Sequence, residues 1–356
     1  QSLAELGDKG FVRDDATGTC TLERNHAALA TTGIDKVRMM GYTGKNVPIA
    51  IVDTGYLPDH TEYVANILSV ASYDDKNYNN ELDAGEKIVG DYTTNNNAHG
   101  TTVAGQAVGY KAGVAPGAGV HAKSLNLFAG GIAIAIKDSI FGDAAPVINL
   151  SNSLGTDVLM YQNKNTDNTG ILAATAPTSV VMVLASGNEG TDLSDAFDDA
   201  KSVDPSIDSF FDHPDEADNI LFVGAFDQEK NELALYSNYP GYRKSFQDRF
   251  IVTGDYLFET ASHNGPAEFG WGSGTSLAAP QVSGAIAILM EVNPRLTAVQ
   301  AAQILLDTAQ RRPEWGYGQT CTVTTKLGTF SSDCGAMKFG RGLMDLPKAV
   351  EVARGA

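Results

Sequence analysis

Short, unbroken apolar runs recur along the chain and set its period. They are VPIAIVDTG from Val47, VHAKSLNL from Val120, PVINLS from Pro146, VVMVLAS from Val180 and NILFVGAF from Asn219. Runs of this length without polar alternation read as strands buried on both faces, the habit of a parallel sheet. Helices are expected between them, at 100–109, 130–142 and 276–292. A further helix starts at the capping box Thr297-x-x-Gln300, with Ala302, Leu305, Leu306 and Ala309 on one face. Strands alternating with helices predict an α/β fold, a mainly parallel sheet with helices on both faces. In such folds functional groups gather at the carboxyl ends of the strands, and Asp53, Ser151 and Asn188 each stand where an apolar run stops.

Outside these elements the pattern weakens. Residues 1–33 are polar and read as an N-terminal extension that wraps a domain formed by 34–356, and 189–218 reads as an acidic surface insertion. There is no internal repeat and no low-complexity linker. With 356 residues, 43% hydrophobic and 19% charged, the chain is able to bury one large core. Its net charge of −18 opposes phosphate backbones and anionic lipid, so nucleic acid is excluded as a partner. The longest apolar run, around 285–290, falls short of the roughly 20 residues of a membrane span. The chain opens on Gln1 with no basic-then-apolar leader, the look of a processed or trimmed mature region. Cys321 and Cys334 flank Gly328 as two strands of a hairpin would, and a local disulfide between them is expected. Cys20 is left over, either free or paired with a segment absent from this chain. A disulfide points to an oxidising compartment, hence to a secreted or cell-surface protein.

Three segments carry chemistry together: IVDTG with Asp53, NAHGTTVAG with His99, and GSGTSLAAPQVSG with Ser276. A serine hydroxyl is a poor nucleophile at neutral pH. It needs an adjacent base, and the base needs a carboxylate to hold its tautomer and stabilise the imidazolium. A helix N-terminus behind Ser276 also offers backbone N–H groups to developing negative charge. Asp-Thr-Gly or His-Gly alone would be ordinary turn strings; Gly-Thr-Ser followed by two alanines and a proline is far more specific.

In that order the motifs resemble those of the subtilases, the subtilisin-like serine proteases, from GYTGKNVPIAIVDTG at Gly41 to GRGLMDLPKAV ending at Val350. The resemblance implies a subtilisin-like three-layer sandwich and a serine endopeptidase that acts on protein or peptide substrates through an acyl-enzyme. No cofactor is needed for catalysis. Asp53, His99 and Ser276 inherit the triad roles, and Asn188 in VLASGNEG inherits the oxyanion hole. The neighbouring Ala185, Ser186 and Gly187 fall to substrate binding. So do Ser151, Asn152 and Ser153 in INLSNSLG, and Leu125 and Leu127 in LNLFAGG, as two edges holding an extended peptide by main-chain hydrogen bonds. Asn152 stands where the family usually has an apolar residue, and Thr102 where it commonly has a second, non-catalytic histidine. His60 matches a frequent structural histidine. A propeptide or C-terminal domain absent from this chain is a plausible partner.

The chain after His99 is too short for the family's tight calcium loop. Another segment places Asp75, Asn77, Asn79, Glu81, Asp83 and Glu86 with the spacing of oxygen ligands in a twelve-residue calcium loop, and is either a structural calcium site or a polar turn. Two other function classes compete with the peptidase. A catalytically silent binding module is opposed by the intact triad and Asn188. A lipase or esterase is opposed by Gly274-Thr275-Ser276-Leu277-Ala278, which is not a G-x-S-x-G elbow.

Overall fold

The computed structural model describes residues 11–13, 20–77, 79, 81–91, 99–125, 130–151, 179–203, 219–254 and 258–356. Ahead of the sheet, β1 (Phe11–Arg13) and β2 (Cys20–Leu22) form an antiparallel ladder that leads into a helix at Glu23–Thr32. The central sheet then takes β3 (Pro48–Asp53), β4 (Ile67–Tyr73), β5 (Lys87–Val89), β6 (Gly119–Leu125), β7 (Val147–Leu150), β8 (Val181–Ala185), β9 (Ile220–Asp227), β10 (Glu232–Leu233) and β11 (Phe250–Gly254). Their order is β10-β9-β8-β7-β3-β6-β4-β5, with β11 on β9. Every pair is parallel except β4 with β5 and β9 with β10.

Each long run buries both of its faces. In β3, Ile49 and Ile51 pack with the helices His99–Val108, Thr275–Val292 and Ala298–Thr308, while Ala50 and Val52 pack with the helix Gly130–Phe141 on the other side. The same split divides Val181, Val183 and Ala185 from Met182 and Leu184. Covering both faces stabilises the sheet by about 1.5–3 kcal/mol for each large side chain removed from water, which is why no polar alternation survives in these strands. The helix Ala298–Thr308 starts at the expected capping box, with Thr297 accepting from Gln300 N and Gln300 reciprocating.

The chain runs from β3 outward to β4, returns to β6, and then crosses to the opposite side of β3 for β7. That reversal opens a crevice at the carboxyl ends of the central strands, the place where such sheets bind ligands. β3 is the strand from which both halves diverge, and its last residue is Asp53.

One segment differs from the sequence reading, and part of another can be placed. Within the stretch expected to be an acidic loop, Leu193–Val203 is a helix, because Leu193 and Phe197, four apart, reach the core while Asp198 pairs with Arg243; 204–218 lie outside the described residues. Within 1–33, the helix Glu23–Thr32 sends Ala28 and Leu29 into the core, and Asn25 exchanges hydrogen bonds of 2.7 and 2.9 Å with the backbone of Glu259.

β12 (Phe258–Ala261) and β13 (Phe269–Gly272) form one antiparallel pair, β14 (Thr320–Thr325) and β15 (Gly328–Asp333) another. The disulfide Cys321–Cys334 joins β14 to the first residue of the helix Cys334–Phe339 that follows β15. Among the described residues only Thr275–Val292 is long and apolar enough to cross a membrane, and most of it is buried within the domain as a core helix.

Candidate active site

Asp53 closes β3 with its side chain fully buried, and His99 opens the helix His99–Val108. The imidazole Nδ1 lies 2.8 Å from Asp53 Oδ1. The same oxygen accepts from the Thr54 N–H at 2.7 Å, which fixes the carboxylate plane. A carboxylate only accepts, so Nδ1 carries the proton and Nε2 is left as the base. The Coulombic pull of Asp53, with its hydrogen bond, raises the His99 pKa above the ordinary histidine value against the opposing effect of burial.

The helix meets β3 closely because Gly100 has no side chain. A Cβ there would lie 2.7 Å from the Thr54 carbonyl and 2.7 Å from the Tyr56 ring. Thr101 Oγ1 accepts from Leu57 N at 2.9 Å, tying the helix start to the loop after Asp53. Thr102 is taken up in packing beside Gly272, and its carbonyl accepts from Thr260 Oγ1 at 3.0 Å. His60 is fully buried, with Nδ1 accepting from Glu62 N and Nε2 against the Glu268 carbonyl.

Ser276 is the second residue of the helix Thr275–Val292, entered through Gly274 at φ 131°, a conformation that a side chain would strain. Its hydroxyl donates to the Ser151 carbonyl at 2.7 Å. Ser151 follows β7, and β7 is hydrogen-bonded to β3 with Leu150 opposite Val52, so Asp53 and Ser151 leave the sheet side by side. The buried Ser151 hydroxyl is held by Asn149 Nδ2 at 2.8 Å.

Asn188 follows β8 in an exposed turn. Its Oδ1 accepts from Thr275 N at 2.9 Å and from Thr275 Oγ1 at 3.1 Å. That fixes which end of the amide is which and leaves Nδ2 as the donor beside the first turn of the Ser276 helix. Asp53 and Asn188 thus come from the carboxyl ends of β3 and β8, either side of β7, and His99 and Ser276 from two helix starts.

Of the expected substrate residues, Ser151 sits at the site, while Asn152, Ser153 and Leu127 lie outside the described residues. Leu125 and Ala185 point their side chains into the two cores, so only their backbones are available to a peptide. Ser186 is buried with its hydroxyl on the Asn238 carbonyl at 3.2 Å, and Gly187 takes φ 105°. Asn238 escaped the sequence reading: it sits in an undistinguished Tyr-Ser-Asn-Tyr-Pro string, and its partners lie about fifty residues earlier.

The loop 75–86 draws its polar groups together. Asn77 and Asn79 both donate through Nδ2 to Asp83 Oδ2, at 2.8 and 2.9 Å, and hold that carboxyl below its usual range. Asp75 Oδ1 accepts from Asn79 N, and Glu86 accepts from Lys76 N and Asp83 N. Glu81 reaches out to Lys137 at 2.8 Å. Among the described residues no three acidic, histidine or cysteine side chains converge as a formed metal cluster.

The profile of the subtilase family matches residues 44–335. Subtilisin DY of Bacillus licheniformis is 29% identical over 77% of this chain and 88% of its own length. The extracellular basic protease of Dichelobacter nodosus is 28% identical over 78% of this chain and 49% of its own, so the chain spans about half of that relative. The major intracellular serine protease of Bacillus subtilis is 27% identical over 70% of each chain. Among solved structures, the prenylagaramide maturation protease PagA superposes with a TM-score of 0.59 at 18% identity, covering 91% of this chain and 99% of its own, a likeness of fold.

Proposed function

Because this chain belongs to the subtilase family, and is a serine protease by that membership, we propose that it is an endopeptidase working through an acyl-enzyme on Ser276. In this reading His99 Nε2 takes the Ser276 proton as Oγ bonds to the scissile carbonyl carbon. Asp53 holds the imidazolium that results. The same proton passes to the leaving amine as the C–N bond breaks, and a water activated by His99 then releases the acid and frees the serine. The tetrahedral oxyanion falls to Asn188 Nδ2 and the Ser276 N–H at the helix start.

The observation that carries the reading is the meeting of two adjacent strand ends: Asp53 bonded to His99, and Ser151 bonded through its carbonyl to the Ser276 hydroxyl. That carbonyl, just beyond the end of β7, is also the natural acceptor for a substrate N–H. A peptide that takes it releases Ser276 toward His99, so docking and activation are coupled.

Secretion is part of the same proposal, supported by the Cys321–Cys334 disulfide and by a relative named as extracellular; a second relative is named as intracellular, and cell fractionation decides between the two. A structural calcium in the loop 75–86 is a separate proposal, supported by the spacing of its oxygen donors and by the burial of Asp75 and Glu86.

A fluorophosphonate probe tests the chemistry. Labelling of the folded protein, lost in Ser276→Ala together with peptide cleavage, is the expected result. Folded protein that neither labels nor cleaves would overturn the peptidase reading in favour of a silent binding module.

A further inference from the structure

The oxyanion donor Asn188 is held by Thr275 through its side chain, but its backbone hangs in an exposed turn. A donor helps only if it is already in place when the charge develops, within about 0.5 Å of the productive position. Something must therefore hold the turn itself.

One buried side chain grips that turn on both sides of Asn188. Asn238, 5% exposed, lies on the segment after β10. Its Oδ1 accepts from Glu189 N at 3.1 Å, Thr191 N at 2.9 Å and Thr191 Oγ1 at 3.1 Å. Its Nδ2 donates to the Ser186 carbonyl at 3.0 Å and to Glu189 Oε2 at 2.7 Å. Its backbone N–H donates to the Gly187 carbonyl at 3.0 Å. Ser186, Gly187, Glu189 and Thr191 are all bound to this one residue, and Gly190 N donates to the Tyr236 carbonyl, which leaves Asn188 to face the substrate.

Chemistry restricts the choice of residue. The turn presents N–H and O–H donors on one side and a carbonyl and a carboxylate on the other, so the clamp must accept at one end and donate at the other. An amide does both. A carboxylate would have to face Glu189 and the Ser186 carbonyl with no proton to offer. The fit is also close: a Cβ on Gly187, already at φ 105°, would lie 2.2 Å from Asn238 Nδ2.

We propose that Asn238 is a positioning residue for transition-state stabilisation, clamping the turn so that Asn188 Nδ2 is aimed at the oxyanion before substrate arrives. The proposal rests on the assignment of Asn188 to the oxyanion hole. It separates Asn238 from a merely structural asparagine by predicting where the loss appears.

The test is a double-mutant cycle on a peptide substrate with Asn188→Ala and Asn238→Ala, reading kcat and KM separately. Asn238→Ala is expected to lower kcat by about 10- to 100-fold with KM changed by less than about twofold. In the Asn188→Ala background the same change is expected to cost less than about threefold. Affinity for a peptide aldehyde, which forms the tetrahedral oxyanion, should fall in step with kcat, while affinity for an uncleaved product peptide should not. If Asn238→Ala fails to fold, Thr191→Val and Asn238→Ser, which each remove only part of the clamp, take its place and should give smaller losses confined to kcat. Losses that multiply in the double mutant, or that fall on KM alone, overturn the clamp. An unchanged kcat in Asn188→Ala alone would overturn the oxyanion assignment beneath it, a separate outcome.

Discussion

Asn149 Oδ1, in the middle of a buried strand, accepts a hydrogen bond of 2.9 Å from the Ser283 hydroxyl on the helix that begins beside Ser276. Its Nδ2 donates to Ser151 Oγ, so one side chain ties the helix of Ser276 to the strand end that holds the Ser276 hydroxyl. An apolar residue would suit the strand pattern better, but it would leave buried hydroxyls short of a partner. Asn149→Leu is expected to lower unfolding free energy by about 1–3 kcal/mol. Denaturant unfolding should be measured in a Ser276→Ala background, where self-digestion of unfolded chains cannot mask the equilibrium. An unchanged midpoint would show that the tie contributes nothing.

The acid limb of activity should report His99. In the proposed mechanism only the neutral imidazole can accept the Ser276 proton, and Asp53 raises the pKa of His99 above the ordinary value. Activity therefore falls as pH drops through that raised pKa, beginning at a higher pH than for a free histidine. Asp53→Asn removes the charge responsible, so the limb should move to lower pH while kcat drops by roughly 10⁴, the size known for the equivalent change in a serine protease triad. A kcat/KM profile of both proteins checks this, and a limb that stays in place would detach Asp53 from His99.

How much of this was legible beforehand depends on the distance over which each residue works. Ile49 and Ile51 on one face and Ala50 and Val52 on the other announce a doubly covered strand, because the solvent that would enforce alternation is absent from both sides. Asp53, His99 and Ser276 were readable because each sits in its own short string at an element boundary. Asn238 was not, since its role exists only once Ser186–Thr191 lies against it. Lys123 was hidden for the same reason: a lysine in an apolar strand is unreadable until Asp138 and Asp143 fold over it. The helix Leu193–Val203 was obscured by its aspartates, which outnumber the two apolar residues that anchor it.

Calcium gives a direct test of the loop 75–86. If the loop takes the ion, the Asp83 carboxylate exchanges its Asn77 and Asn79 amide partners for metal, and only the folded chain has the loop assembled. Millimolar calcium should then raise the melting temperature of Ser276→Ala protein by several degrees, roughly as a ligand at 100 times its Kd would. Asp83→Asn paired with Glu86→Gln should abolish the increment. Equal melting curves in calcium and in chelator would assign the segment to a polar turn.

The last expectation concerns Lys123, 1% exposed in the interior of β6. Its Nζ lies 2.5 Å from Asp138 Oδ2, 2.5 Å from Asp143 Oδ2 and 2.8 Å from the Tyr73 hydroxyl, while Lys87 reaches Asp138 from the rim at 2.8 Å. Burial pushes the Asp138 carboxyl up, but hydrogen bonds from Lys123, Lys87 and Tyr73 outweigh it and bring its pKa down to about 2. Because that pKa is depressed, the stabilisation is present above the usual carboxylate range and is lost as pH falls toward 2. Lys123→Met removes the shared buried cation and leaves Asp138 with Lys87 at the rim and Asp143 with His121 at 3.4 Å, and losing one partner of a buried pair costs about 3–5 kcal/mol. With the cation gone the Asp138 carboxyl loses the first of the hydrogen bonds that depress its pKa, so the variant draws less stability than the parent from keeping that carboxyl ionised and loses less as acid protonates it. Its deficit against the parent should therefore be largest near neutrality and shrink on acidification. Adding Asp143→Asn should recover part of it at neutral pH. Chemical denaturation of the Ser276→Ala protein and these variants from neutral pH down to about pH 4 measures the difference, and a deficit that stays constant with pH would mean that packing, not charge, holds Lys123 in place.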